Sequence, residues 1–274
     1  MGLSFYPVFF HKELLQLFQV YSHISEYVGN FRNFKPEKAY FCILSKINMI
    51  ITYYGHSCFQ VSTNGKTLLF DPFIRPNPKA SHIDFENIKA DYILVSHGHE
   101  DHTADLVDLA RQTNATIISS YEIHAWLQKK GIIKTHPMNT GGHWMFDFGK
   151  VKCVHAVHSS SLPDGTYAGN AMGFLIETPD IHFYYAGDTA LHSDMKLIGE
   201  FRTIDFAFLP IGNNFTMGID NAVIASNFIK CEKIIGMHYD TFDMIKIDQE
   251  DARKRFDNAG KELLLMNIGE TTEI

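Results

Sequence analysis

Apolar positions recur at two spacings along the chain, separated by short polar or glycine-bearing breaks. Strand-like apolar runs cover residues 49–54, 58–61, 67–70, 92–96, 116–119, 151–157, 171–177, 182–186, 206–210 and 233–237, and 262–266 offers a closing strand. Helical spacing follows His102 and returns over 121–130, 193–200, 220–230 and 249–258. Asn64-Gly65 falls between two early runs and is a hairpin signal, because both residues accept the left-handed backbone of a two-residue turn. Early hairpins followed by strand-helix alternation predict an α/β (α+β) fold in which two sheets face each other and helices cover the outside.

Residues 1–48 depart from this pattern. Positions 5–10 are rich in aromatics, and Leu14, Leu15, Phe18, Tyr21 and Ile24 fall at the spacing of a short amphipathic helix. The expected organisation is an N-terminal extension over 1–48 and a single domain over 49–274. The extension is either a start-site artefact, with translation beginning at Met49, or an arm that packs on a neighbouring subunit of a homo-oligomer. No run approaches the roughly 20 apolar residues of a membrane span, and the start lacks the basic opening and clean apolar core of a secretory signal. A cytoplasmic protein without membrane contact is the expectation.

Charge and cysteine usage narrow the function further. A formal net charge of −7 speaks against extended binding along a nucleic-acid backbone, which needs clustered Lys and Arg. It leaves room for a small anionic substrate drawn to a local positive cluster. Cys42, Cys58, Cys153 and Cys231 form no C-x-x-C pair and read as reduced core thiols.

The chemistry concentrates in His97-Gly98-His99-Glu100-Asp101-His102, directly after the apolar run Tyr92-Ile93-Leu94-Val95. Burying so many imidazoles and a carboxylate is costly unless something binds them, and a metal cluster is the obvious occupant. In extended geometry His97 and His99 point to one side, while Asp101 and His102 fall where a helix begins. One pair can therefore face one metal and the next pair another. Later apolar runs deliver further donors at their ends: 151–157 leads to His158, 182–186 to Asp188 past a glycine, and 233–237 to His238. Open sheets gather their sites along the carboxyl ends of strands, so these residues gain weight together that none has singly. His155 and His158 differ by an odd number of residues and face opposite sides of a strand, so His155 is read as a core or supporting residue. His124, His136, His182 and His192 are read as non-ligands, because nothing around them converges.

With His97, His99, Asp101 and His102, the chain resembles the metallo-β-lactamase superfamily in its H-x-H-x-D-H signature. It is most similar to the branch of small metal-dependent hydrolases related to ascorbate-6-phosphate lactonase. The resemblance runs from Met49 onward through Gly55-His56-Ser57-Cys58-Phe59, Asp71-Pro72-Phe73, His158-Ser159-Ser160, Ala186-Gly187-Asp188-Thr189, Leu209-Pro210-Ile211-Gly212, Phe215-Thr216-Met217-Gly218 and Met237-His238-Tyr239-Asp240-Thr241-Phe242. It implies a four-layer αββα sandwich. It also implies one metal on His97, His99 and His158, a second on Asp101, His102 and His238, and Asp188 as the bridge. Such mixed nitrogen and oxygen sites suit zinc and also accept manganese or iron.

The resemblance further implies a metal-dependent hydrolase of small-molecule substrates. Two divalent ions carry about +4, and Asp101, Asp188 and a bridging hydroxide offset three of those charges, leaving about +1 for an anionic substrate oxygen. That hydroxide would attack an ester-like, lactone or phosphodiester bond. Catalytic weight falls on Asp101 and on His56, which the resemblance puts near the mouth to orient substrate or protonate the leaving group. Thr189 suits a supporting role beside Asp188, and Thr216, Tyr239, Asn139 and His143 are weaker pocket candidates. Two other readings use the same donors. One is a nuclease or phosphodiesterase, whose larger members add a basic arm that this sequence does not carry. The other is a non-hydrolytic di-metal protein, such as a di-iron redox centre, in which carboxylates replace imidazoles.

Overall fold

The computed structural model describes residues 49–274. The helix proposed over 14–24, Cys42 and the whole 1–48 extension lie outside the described residues. The first sheet takes β1 (Ile50–Gly55), β2 (Cys58–Thr63), β3 (Lys66–Phe70), β4 (Tyr92–Leu94), β5 (Thr116–Ser120) and β6 (Thr135–Met138). The second takes β7 (His143–Phe146), β8 (Gly149–His155), β9 (Met172–Glu177), β10 (His182–Tyr185), β11 (Phe206–Pro210), β12 (Lys233–Met237) and β13 (Glu262–Leu264). A last strand, β14 (Thr271–Glu273), returns to the first sheet and pairs with β1.

The strand orders are β14-β1-β2-β3-β4-β5-β6 and β13-β12-β11-β10-β9-β8-β7. Each sheet is antiparallel on one side and parallel on the other, the change falling at β3 in the first and at β10 in the second. Helices α1 (Glu100–Thr103), α2 (Leu106–Thr113) and α3 (Tyr121–Lys129) follow the parallel strands of the first sheet. Helices α4 (Met195–Phe201), α5 (Ile219–Phe228) and α6 (Gln249–Asn258) do the same for the second.

The period of two along a strand sets the layers. On the β4 segment Leu94 joins the core between the sheets, whereas Ile93 and Val95 join a separate cluster with Leu106, Leu109, Ile123 and Leu127 beneath α2 and α3. Aromatic rings tie the two sheets face to face: Phe59 lies 4.6 Å from Phe208, and Phe70 stacks on Tyr185 at 4.6 Å. Fully burying each such ring stabilises the fold by about 1.5–3 kcal/mol. Cys58, Cys153 and Cys231 are free and buried, as expected of core thiols. Among the described residues no helix is long and apolar enough to cross a membrane.

The structure amends four readings. Strands β6, β7 and β14 were not expected: they are short, Pro137 interrupts β6, and His143, Trp144 and Met145 of β7 are all exposed, so none carries a buried apolar signature. The run at 92–96 ends its strand at Leu94, and that at 151–157 ends at His155, freeing His97 and His158 to turn away. The helix after His102 is two helices. It breaks at Asp105, whose carboxylate accepts from the backbone of Ile74 and Arg75 instead.

Candidate metal centre

Six segments converge at the carboxyl ends of strands from both sheets. His97 and His99 follow β4 and lead into α1, which carries Asp101 and His102; His158, Asp188 and His238 lie past β8, β10 and β12. His56 sits at the β1–β2 turn, and Asp71 follows β3. Backbone strain marks the same place: φ is +57° at His56, +42° at Asp71 and +55° at His238. Gly187 is required beside Asp188, since its φ is +60° and a Cβ there would lie 2.7 Å from that of Ser96.

One oxygen lies at the centre of the arrangement. Asp188 Oδ2 is 2.9 Å from His238 Nε2, 3.4 Å from His102 Nε2, 3.6 Å from His158 Nε2 and 3.9 Å from His97 Nε2. Around it the donors fall into two sets, His97, His99 and His158 on one side and His56, Asp101, His102 and His238 on the other, with Asp71, His97 and His102 forming a third close group that joins them. In the first set His97 Nε2 faces His99 Nδ1 at 3.0 Å. In the second, His238 Nε2 and His102 Nε2 lie 3.8 and 4.0 Å from the two carboxylate oxygens of Asp101.

Asp71, to which sequence reasoning gave no role, fixes which ring nitrogens face inward. Its fully buried Oδ2 accepts from His102 Nδ1 at 2.8 Å, from the Tyr185 hydroxyl at 2.7 Å and from Ser96 Oγ at 2.6 Å. A carboxylate only accepts, so His102 keeps its Nδ1 proton and, once an ion has displaced the proton on the other nitrogen, presents a bare Nε2. Ser96 has spent its hydrogen on Asp71 and therefore accepts from His97 Nδ1 at 2.9 Å, which leaves His97 Nε2 bare as well. A single carboxylate thus sets one imidazole in each donor set, as supporting partners of metal ligands do.

Charge and burial oppose each other here. Burial acts to raise the carboxyl of Asp188, yet the imidazoles of His238 and His102 carry it well below the usual range. Burial also disfavours charge on His102, but Asp188 and Asp71 hold that ring well above its ordinary value. Burial first, and then the neighbouring imidazoles, hold His97 low and push His56 down to about 4. Asp101 behaves like Asp188: burial raises it, His102 and His56 outweigh that, and it stays ionised.

The donor set fits bound metal. His102 Nε2 and Asp188 Oδ1 are buried with no hydrogen-bond partner among the described residues, an arrangement that costs about 1–3 kcal/mol per group unless a ligand satisfies it. Imidazole nitrogens with two carboxylates are the chemistry of zinc and its neighbours in the divalent series.

The remaining sequence candidates separate clearly. Buried Thr189 joins the Asp188 and His158 loops, its Oγ1 accepting from Val157 N at 3.0 Å. Thr216 lies on the loop whose next residue, Met217, donates its N–H to Thr189 O. Tyr239 is a core residue whose hydroxyl reaches Met266 O. Asn139, just past β6, and His143, the first residue of β7, are both exposed; the loop between them bonds to Cys153 in mid-β8, and neither residue joins the donors. His155 is not a core residue: it is exposed, with its ring 5.4 Å from that of His192. His56 is not at the mouth, because its side chain is fully buried, with Nδ1 2.9 Å from Thr241 Oγ1 and Nε2 3.1 Å from Asp101 Oδ2. The signal for Asp71 was available, since it is an acid set directly after a buried strand and ahead of a proline.

The model of the β-lactamase superfamily domain matches residues 66–239, which span the donors from Asp71 to His238, and the chain belongs to that superfamily. The two-sheet sandwich with its metal-donor cluster is the metallo-β-lactamase fold. A UPF0173 metal-dependent hydrolase of Flavobacterium johnsoniae is 53% identical over 226 residues, covering 82% of this chain and 100% of the relative. Another, from Methylacidiphilum infernorum, is 50% identical over 223 residues, 81% of this chain and 99% of its own. Within the superfamily this chain is therefore a member of the UPF0173 metal-dependent hydrolases. Among solved structures, Igni18, a metallo hydrolase from Ignicoccus hospitalis, is 33% identical with a TM-score of 0.76, covering 83% of this chain and 98% of its own.

Proposed function

We propose that the protein hydrolyses an ester-like, lactone or phosphodiester bond in a small anionic substrate with the help of two divalent ions, zinc first, with manganese or iron as alternatives. His97, His99 and His158 would hold one ion and Asp101, His102 and His238 the other, with Asp188 available to both. The observation that carries this reading is Asp188 Oδ2, set within 2.9–3.9 Å of one nitrogen from each of His238, His102, His158 and His97. When bound, such a pair supplies Lewis acidity and lowers the pKa of water from about 15.7 toward about 7.

The chain's own residues do the rest. Asp71 and Ser96 keep His102 and His97 in the ligating tautomer, so no ring must reorient when the site loads. Asp101, 28% exposed, and His158, 12% exposed, bring one member of each donor set to the solvent side of a centre whose Asp188 is only 2% exposed, so substrate approaches across the rim they form. Thr189 ties the Asp188 and His158 loops together and holds the bridge in register with both donor sets. A panel of esters, lactones, thioesters and phosphodiesters tests the reading on metal-replete protein. Turnover in at least one class that is lost on chelation and restored by zinc or manganese is expected. Silence across the panel with both ions verified present would overturn it.

A further inference from the structure

We infer that His56 is itself a metal ligand, a fourth protein donor to the second ion beside Asp101, His102 and His238. The inference rests on the two-ion reading above and adds a residue that the H-x-H-x-D-H pattern does not supply.

Three observations carry it. First, the spacing fits. Ligand atoms about 2.0–2.1 Å from one cation lie about 3 Å apart at a right angle and about 4 Å apart when opposed. Asp101 Oδ2 is 3.1 Å from His56 Nε2 and 3.8 Å from His238 Nε2, and Asp101 Oδ1 is 4.0 Å from His102 Nε2. All four donors lie within 4.8 Å of one another.

Second, hydrogen-bond accounting leaves His56 Nε2 bare. The Thr241 hydroxyl has one hydrogen, which reaches Tyr239 O at 3.3 Å, so at 2.9 Å it accepts from His56 Nδ1. This is the arrangement that Ser96 makes with His97. Asp101 Oδ2 is an acceptor too, and two acceptors 3.1 Å apart in a part-buried site repel unless a cation lies within reach of both. The reverse assignment, with Nε2–H donating to Asp101 and Thr241 turned toward Nδ1, removes the Thr241 hydrogen bond from Tyr239 O. It would make His56 a positioning residue only.

Third, the ring is where a ligand belongs. It is fully buried, its centroid is 4.1 Å from that of His238 and 5.5 Å from that of His102, and its backbone holds φ at +57° to keep it there. Phe73 and Phe242, with centroids 5.6 and 5.5 Å away, pack against it.

The test counts ligands. Wild-type protein carrying isotope-labelled histidine and loaded with cadmium should show cadmium–nitrogen coupling at six imidazoles, those of His56, His97, His99, His102, His158 and His238; coupling at five, with His56 silent, would overturn the inference. Zinc titration of wild type should give two ions. His56→Ala should keep one ion tightly and weaken the other by about 100-fold or more, beyond the loss typical of a supporting partner. The cobalt-substituted variant should also show an altered absorption band. Thr241→Val, which removes only the partner of Nδ1, should weaken the same ion by no more than about 10- to 100-fold. A His56→Ala protein that binds both ions with wild-type affinity and spectrum would reduce His56 to a positioning or proton-transfer role. Wild type that binds fewer than two ions would fail the two-ion reading itself, a result visible before any variant is made.

Discussion

The two donor sets on either side of Asp188 are built differently. The set of His56, Asp101, His102 and His238 has its three rings buried and its own carboxylate, and Asp71 and Thr241 stand behind two of the rings. The set of His97, His99 and His158 owns no carboxylate beyond the shared Asp188. Only His97 in it is fully buried, and the outer nitrogen of His99 meets the exposed Ser159 hydroxyl at 3.3 Å. Preorganisation therefore comes from what lies behind each ring rather than from the ring itself. The buried set has the more enclosed partners and its own carboxylate, while the open set leans on the loop that follows His158.

Removing the shared element should have the largest effect. Asp188→Ala is expected to bring metal content from two ions to one or none and to lower turnover by about 10³-fold or more, a loss of several kcal/mol of charge stabilisation. Asp188→Asn keeps the shape and separates this loss from misfolding. Either variant retaining two ions by elemental analysis would mean the two sets do not share a bridge. Asp71→Ala comes next. Because it supports both His102 and His97, it should weaken both ions by about 10- to 100-fold. A titration showing only one ion affected would break the link through Ser96.

How much of this was legible before the structure follows from the distances in sequence over which each contact acts. His97, His99, Asp101 and His102 stand within one turn of chain, and Asp188 and His238 follow buried strands, so period and strand ends were enough to bring them forward. The Asp71–His102 hydrogen bond spans 31 residues and the His56–Thr241 contact 185. No local pattern reports that such loops meet. The role of Asp71, the burial of His56 and the exposure of His155 all depend on that meeting. The edge strands β6, β7 and β14 were missed for another reason: an edge strand of three or four residues buries too little on one face to show a period of two.

Proton release should sharpen the contrast between the sets. His102 is held above its ordinary value, with Asp188 and Asp71 outweighing its burial, so near neutral pH an incoming ion must displace a proton from it. His97, His99 and His158 are all held low, first of all by burial, and have no such proton to lose. Filling the buried set should therefore release protons, and its affinity should fall about tenfold for each pH unit below the raised value of His102, then level off above it. Filling the open set should show little pH dependence near neutrality. Calorimetry in buffers of different ionisation enthalpy resolves the two, and equal proton release from both ions would contradict the assignment.

The smallest effect is expected at Ser159. Its hydroxyl meets His99 Nε2 at the surface, where water can replace it, so Ser159→Ala should weaken only the open set, by about 0.5–1 kcal/mol or roughly two- to fivefold. Ser96→Ala makes the informative partner, because it also removes an oxygen bonded to a ring of the open set, but a buried one whose second contact is Asp71. If burial behind the ring governs preorganisation, Ser96→Ala should cost more than Ser159→Ala although both touch the same set, and it should reach His102 through the altered hydrogen bonding of Asp71. Competitive zinc titration of the two variants reads this directly. Equal losses would mean that membership of a set, not the buried partner, decides how firmly each ion is held.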